Sequence, residues 1–491
     1  MPTALSLATL GDLPATVRVP GYDRASLKPG IVHFGVGNFH RAHQAVYLDM
    51  LFDAGKDLDW AIIGAGVREP DARMRAALAP QDWLTSLVEL GDAPPSARVI
   101  GPMVDFIPVD DRERLMAQLA APEIRIVSLT ITEGGYYIDH ASGVFDPHHP
   151  DIVADAANPS DPKTVFGLML EGLRRRRAAG IPPFTVMSCD NIPGNGGVAR
   201  SALAGLADLF DPELAAFVRA EVAFPNGMVD RITPATTDRE RQMLVDQFGI
   251  TDAWPVFCEP FKQWVVEDHF PLGRPRFEDV GVTFSEDVHA FERMKIRILN
   301  GGHAIIAYPS ALMDIHFVHE AMEDPLIRAF LEKLELTEIV PIVPPVPGVV
   351  LSDYFELIAD RFANPKIGDT IPRLCLDGSN RQPKFILPST RDRIRQGLDV
   401  TGLALESALW CRYCALTSDS GRAIAPNDES ADRLQAAALA AREDSSAFYG
   451  LRDIFGDIAD SENFRTAFTT HLRNLWTHGT RKVLTDYVEG R

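Results

Sequence analysis

Through its first half the chain alternates short apolar runs with stretches of helical period, and after about residue 285 only the helical period remains. The run IVHFGVG (31–37) leads into the amphipathic NFHRAHQAVYLDMLFDAG, closed by Gly55. WAIIGAG (60–66) and PDARMRAALA repeat the pattern, as do IRIVSLTIT (124–132), PKTVFGLMLEGLRRRR and FTVMSCDN (184–191). Such alternation builds a parallel sheet with helices on both faces. WLTSLVELG and ARVIGPMVDFI read as strands with no helix between them, so part of the sheet is expected to be antiparallel. Later runs such as DVHAFERMKIRILNGGHAIIAYPSALM, LSDYFELIADRFA and GLALESALWCRYCAL keep a 3.6-residue period. The expected architecture is α/β plus all-α: a Rossmann-like doubly wound sheet over 1–284 and a mostly helical domain over 285–491. The break falls in the Gly- and Pro-rich FPLGRPRFEDVGVTFSEDV.

Charge and composition remove several function classes. A net charge of -20 argues against nucleic acid, which needs a concentrated Lys/Arg surface. The densest basic run, Arg174 to Arg177, closes a helical pattern, where cations complement the dipole. No segment has the roughly 18 consecutive apolar residues of a membrane span, and the N-terminus lacks the basic start and cleavage site of a secretory leader. Five scattered cysteines make no disulfide framework, so a reducing cytoplasm is expected. Cys411 and Cys414 form a C-x-x-C without a second pair, which predicts buried thiols on one helix.

The first strand runs into Phe34-Gly35-Val36-Gly37-Asn38-Phe39-His40-Arg41. Gly35 and Gly37 fit the dinucleotide fingerprint: one makes the tight turn, the other lets the backbone approach a pyrophosphate. His40 stands where the third glycine is expected. Past the second strand, Glu69 and Asp71 are available for the adenosine ribose, which favours NAD; Arg68 and Arg73 could host the 2′-phosphate of NADP. His40 and His43, three apart, have no further ligands nearby for zinc.

In FERMKIRILNGGHAIIAY, Lys295 interrupts an apolar segment. At about 100° per residue, Glu292, Lys295 and His303 share an arc of roughly 80°, with Asn300 roughly 60° beyond. One reading is a desolvated lysine acting as a base; the other is a lysine that snorkels outward beside a capping asparagine and a core histidine. Gly301-Gly302 inside a helix costs roughly 1 kcal/mol per residue and points to a close approach there. Elsewhere SCDN places Asp190 and Asn191 at a strand's carboxyl end, FPNGMVDRITP places Asp230 and Arg231 in a turn-rich loop, and RLCLDGSNRQPKF offers Arg373, Arg381 and Lys384. Such donors and acceptors suit a polyhydroxylated substrate.

Taken together, Lys295-x4-Asn300-x2-His303, SCDN, FPNGMVDRITP, CEPFKQW and GVGNFHRAHQA closely resemble the polyol-specific long-chain dehydrogenase/reductase family, and within it the mannitol branch, over essentially the whole chain. The resemblance implies zinc-independent transfer of hydride from a sugar alcohol to NAD or NADP. D-mannitol to fructose comes first, with arabinitol and sorbitol behind it. It also implies roles: Lys295 as general base, Asn191 and Asn300 as donors to the alkoxide, and His303 on the reacting oxygen or its neighbour. Asp230 would position substrate or lysine, Glu292 would pass the proton to solvent, and Arg373 would bind a distal hydroxyl. Arg381 stands where the mannitol branch is expected to carry lysine. A monomer is expected from the same branch. A hexuronate reductase is the rival within the class, for which Arg373, Arg381 and Lys384 would have to hold a carboxylate. A nucleotide or sugar sensor on the same scaffold is the rival outside it.

Overall fold

A computed structural model describes residues 2–91, 93–139 and 144–491. The chain divides into two compact units, Met1–His289 and Ala290–Arg491.

The first unit is built on a five-stranded, all-parallel sheet: β1 Pro29–Phe34, β2 Ala61–Ala65, β3 Met103–Phe106, β4 Ile126–Leu129 and β5 Thr185–Ser188. Their spatial order is β3-β2-β1-β4-β5. The order reverses direction between β1 and β4, the switch point where open α/β sheets bind ligands beyond the strand carboxyl ends. Side chains alternate strictly across the sheet. Val32 and Phe34 enter one core with Leu115, Phe166, Leu170 and Leu203 from helices Arg112–Ala120, Val165–Ala178 and Asn195–Asp208. Ile31 enters the other with Leu48, Leu51 and Met74 from helices Gln44–Asp53 and Glu69–Leu78. Each fully buried side chain of this size contributes roughly 1.5–3 kcal/mol, so the two-sided core dominates the stability of the unit.

The run ARVIGPMVDFI is two strands. Ser96–Ile100 pairs antiparallel with Thr85–Glu89 in a separate three-stranded sheet with Val256–Cys258, while Met103–Phe106 joins the main sheet. The Gly101 amide turns aside to the Tyr22 hydroxyl and the Asp49 carboxylate, and Pro102 has no amide to give, so one ladder cannot continue through both. The antiparallel part expected within the main sheet therefore lies outside it. FPNGMVDRITP is likewise not all loop. Gly227–Asp230 is a buried strand antiparallel to Gln263–Val266, which also pairs with Thr283–Phe284.

Among the described residues the second unit contains helices and no strands beyond isolated bridges. At its centre lies Thr401–Cys414, buried from Gly402 through Cys414 and packed along Glu462–His478. Cys411 and Cys414 are buried free thiols on that helix, as their spacing predicts. The basic run closes helix Val165–Ala178 as expected, but Arg176 is wholly buried and donates to the carbonyls of Pro182, Ala121, Ile124 and Leu119. Among the described residues no helix is long and apolar enough to cross a membrane.

Candidate active site

In the first unit the glycine loop follows β1 directly. Gly35 has φ +89, and a Cβ there would stand 2.1 Å from the Thr130 carbonyl oxygen, so glycine alone fits. Gly37 begins helix Asn38–Ala42 with no capping side chain, and a Cβ on it would meet nothing nearer than 3.9 Å. The loop thus offers an uncapped helix start beneath open space, which suits a pyrophosphate.

His40 fills the third fingerprint position by turning inward. Its ring lies on that of His33 from β1, centroids 3.4 Å apart and planes 16° apart. His33 is held between Ser128 Oγ at 2.8 Å and Thr130 Oγ1 at 2.9 Å. Burial pushes the His33 imidazole down to about 3, and burial together with His33 and Arg41 pushes His40 well below its ordinary value. Asn38 and Arg41 are engaged in holding the loop. The Asn38 amide donates to the Pro234 carbonyl and the Thr236 hydroxyl, and Arg41 donates to Asn38 Oδ1 and the Trp254 carbonyl. Phe39 stacks on His43.

The two acids after β2 differ in employment. Asp71 Oδ2 accepts the amides of Val67 and Arg68, both at 3.0 Å, and so caps helix Glu69–Leu78. Glu69 is exposed and pairs only loosely with Arg73 at 3.2 Å.

At the end of β5, Asp190 is buried. Its carboxylate accepts the Ile131 and Thr132 amides and the Tyr136 hydroxyl, tying the end of β5 to the segment after β4. Burial, opposed by those hydrogen bonds, pushes its carboxyl up to about 6. Asn191 follows and is exposed. Asn195, which sequence reasoning passed over, is the keystone here. Its side-chain amide donates to the carbonyls of Ser188, Asp190 and Gly227 and accepts the Gly227 amide at 2.9 Å. It thereby fixes the strand carrying Asp230 against the end of β5. The only signal in the sequence was its place in PGNGG. Asn226 extends the same bracing, accepting the Gly196 and Gly197 amides. Asp230 ends its strand and is buried, and Arg231, the first residue of the loop that follows, is a buried anchor on Ala42, Glu259 and Glu89.

In the second unit Lys295 and Glu292 are each 6% exposed. Their helical run changes pitch: Val288–Met294 is α, Lys295–Asn300 is a π turn, and Gly301–Leu312 is α again. The arc expected at 100° per residue therefore does not hold from Lys295 to Asn300, because a π turn advances less per residue. Asn300 continues the helix and does not cap it. A π turn inside an α-helix is frequently found at a functional site. His303 stacks on Phe362 at 4.3 Å. Asp369 takes both forks of Arg373, and although burial opposes ionisation, Arg373 and His303 hold its carboxyl below the ordinary range. Arg381 donates to the carbonyls of Arg373 and Leu374. His303, Asp369, Arg373 and Arg381 are thus brought together, while Lys384 is exposed. Among the described residues no three His, Cys, Asp or Glu side chains gather as a metal site.

The sequence profile of the mannitol dehydrogenase Rossmann domain matches residues 29–279, and that of the mannitol dehydrogenase C-terminal domain matches 287–476. The chain is 59% identical to mannitol 2-dehydrogenase of Cereibacter sphaeroides over 474 residues, 96% of this chain and 99% of that one. It matches Pseudomonas fluorescens mannitol 2-dehydrogenase, solved as a ternary complex with NAD and D-mannitol, at 44% identity and a TM-score of 0.88, covering 100% of both chains. A D-sorbitol dehydrogenase solved in substrate-free form matches at 35% identity and a TM-score of 0.89, covering 98% of this chain and 100% of that one. From its glycine loop to its lysine helix, the chain belongs to the mannitol dehydrogenase family.

Proposed function

We propose that this polyol oxidoreductase converts D-mannitol to fructose with NAD and without zinc, and that Lys295 is its general base. The observation that carries the reading is a lysine 6% exposed at the head of a π turn, on one helical run with Asn300 and His303. The Lys295 amine takes the proton of the substrate's C2 hydroxyl. Asn191 and Asn300 donate to the oxygen as it becomes an alkoxide, and His303 holds that oxygen or its neighbour. Asp230 positions substrate or lysine, and Glu292 passes the proton onward to solvent. Arg373, Arg381 and Lys384 serve the distal hydroxyls. NAD, when bound, supplies the hydride acceptor. The backbone of the Phe34–Arg41 loop underlies its pyrophosphate and Glu69 meets its adenosine ribose, while Asp71 keeps the adjoining helix start in place.

The Pseudomonas relative was solved with NAD and D-mannitol, which supports this substrate and cofactor. A hexuronate would need unspent cations. Arg373 is neutralised by Asp369 and Arg381 is engaged with main-chain carbonyls, so that reading gains no support. We further infer a cytoplasmic monomer, for which five buried free thiols suit a reducing compartment; light scattering tests the oligomeric state.

The deciding experiment is initial-rate activity of the purified protein in EDTA, with NAD and NADP, against mannitol, sorbitol, arabinitol and mannonate. NAD-linked turnover of mannitol that survives chelation is the expected result. Turnover of mannonate alone would reassign the substrate, and loss of activity in EDTA would overturn zinc independence.

A further inference from the structure

Glu335 opens a second π turn, Glu335–Ile339, at the end of helix Pro325–Leu334. It is fully buried, and neither carboxyl oxygen accepts a hydrogen bond. Burial alone pushes its carboxyl well above the ordinary range, so at neutral pH it is an acid with an O–H to donate. A buried polar group left unsatisfied is costly, so a carboxyl kept in this place calls for a reason.

Its position relates that cost to the lysine helix. Glu335 Oε1 lies 3.5 Å from where a Cβ on Gly302 would stand and 3.8 Å from where one on Gly301 would stand. Around the same Gly301 point are the carbonyl oxygens of Phe385 at 3.6 Å and Ile296 at 3.8 Å. Three oxygens from three segments converge on one missing side chain. Of these three oxygens only the carboxyl can carry a hydrogen to donate. The Ile296 carbonyl is part of the π turn and already takes the Gly301 amide. Next door, a Cβ on Gly302 would stand 3.2 Å from the ring of Phe362, the same ring that stacks on His303.

We propose that Glu335 is a positioning residue for polyol oxidation: as a buried donor packed beside the Gly301-Gly302 backbone, it aligns Lys295 and Asn300 on one side of those glycines and His303 on the other. The proposal rests on the reading of Lys295 as the base. Glu335 touches neither substrate nor cofactor in this role.

The test compares Glu335→Gln, which keeps a donor, with Glu335→Leu, which removes it from an enclosed site. Kinetics and melting temperature are read on the full chain. The expected result for Glu335→Leu is a melting temperature equal to or above the parent. Its kcat should fall about tenfold or more, the scale of a small misalignment, with KM for mannitol little changed. Glu335→Gln should recover most of that kcat. Parental kcat in Glu335→Leu overturns the proposal, and so does a loss that Glu335→Gln fails to rescue.

Should Glu335→Leu not fold, Gly301→Ala takes its place. Its methyl meets all three oxygens at ordinary contact distance, and alanine favours the helix over glycine. Higher stability with lower kcat is then the expected pairing, and higher stability with unchanged kcat overturns the proposal. Lys295→Ala measured alongside separates the two readings. If it is inactive while Glu335→Leu is normal, only the positioning role falls; if it turns over normally, the base reading falls and takes this one with it.

Discussion

His40 lies flat against His33, two imidazoles 3.4 Å apart where a dinucleotide fold ordinarily packs glycine against its first strand. Both rings are held neutral by burial, His33 with its value pushed from 6.5 down to about 3. The unfolded chain takes up protons on these histidines as the pH drops below 6.5, whereas in the folded chain His33 does not until near 3 and His40 is held neutral well below its ordinary range. The His33 contribution to stability is therefore complete above pH 6.5 and is lost as the pH falls toward 3, by an amount on the order of a few kcal/mol, and His40 adds to the loss in the same direction. Thermal denaturation between pH 7 and pH 4 should show this acid limb, and His40→Gly should flatten it while lowering stability at pH 7. A limb unchanged in that variant would assign the loss to other groups.

Lys295→Ala should bind NADH, read by fluorescence, about as well as the parent. Its kcat should fall by roughly 10²–10⁴, the usual worth of a positioned base. Small primary amines should restore part of the rate, with an efficiency that follows amine basicity. Turnover near the parental rate would remove Lys295 from the base role.

Asn195→Ala deletes three donated hydrogen bonds and one accepted, and each buried partner left unpaired costs roughly 1–3 kcal/mol. We expect a marked drop in melting temperature and, where the variant folds, reduced kcat, because Asn191 and Asp230 lose their common brace. Full kcat in a folded variant would limit Asn195 to stability.

The acids after β2 should separate cleanly. Asp71→Ala removes a helix cap and should cost about 0.5–2 kcal/mol of stability with NAD still preferred. Glu69→Gln should leave stability alone and raise KM for NAD relative to NADP. The reverse pattern would exchange their roles.

Asp369→Asn releases Arg373 from its ion pair. Inhibition by sugar carboxylates such as mannonate should then strengthen, read as a lower inhibition constant against mannitol, with a higher KM for mannitol. Unchanged inhibition would mean that Arg373 does not face the substrate.

How far these features could be read from the sequence depends on the range of the forces behind them. β1, β2 and β4 are short runs buried on both faces, so local apolarity announces them. The Gly35 turn is a steric requirement visible as a glycine. The strand Gly227–Asp230 was hidden because Pro225, Asn226 and Pro234 crowd a four-residue run, and its partner Gln263–Val266 lies far along the chain. Asn195 escaped notice for a related reason: the carbonyls it holds come from two strands, and nothing local distinguishes it from a polar turn residue. The π turn at Lys295 has no compositional mark at all. An angular argument built on 3.6 residues per turn consequently misplaced Asn300 relative to Lys295, even though the residues themselves were the right ones to examine.

The widened turn also bears on how this chain can change. A π turn amounts to one residue more than a regular helix needs. Removing a single residue between Lys295 and Asn300 would let the whole run settle into one uninterrupted α-helix. Because a π turn advances less per residue, the helices on either side would keep nearly their present orientation, and only the side chains within the turn would be displaced. Lineages drifting toward sturdier helices would thus give up the widened turn itself, whose first residue is Lys295 and whose last is Asn300, while the helix carrying His303 stays in place.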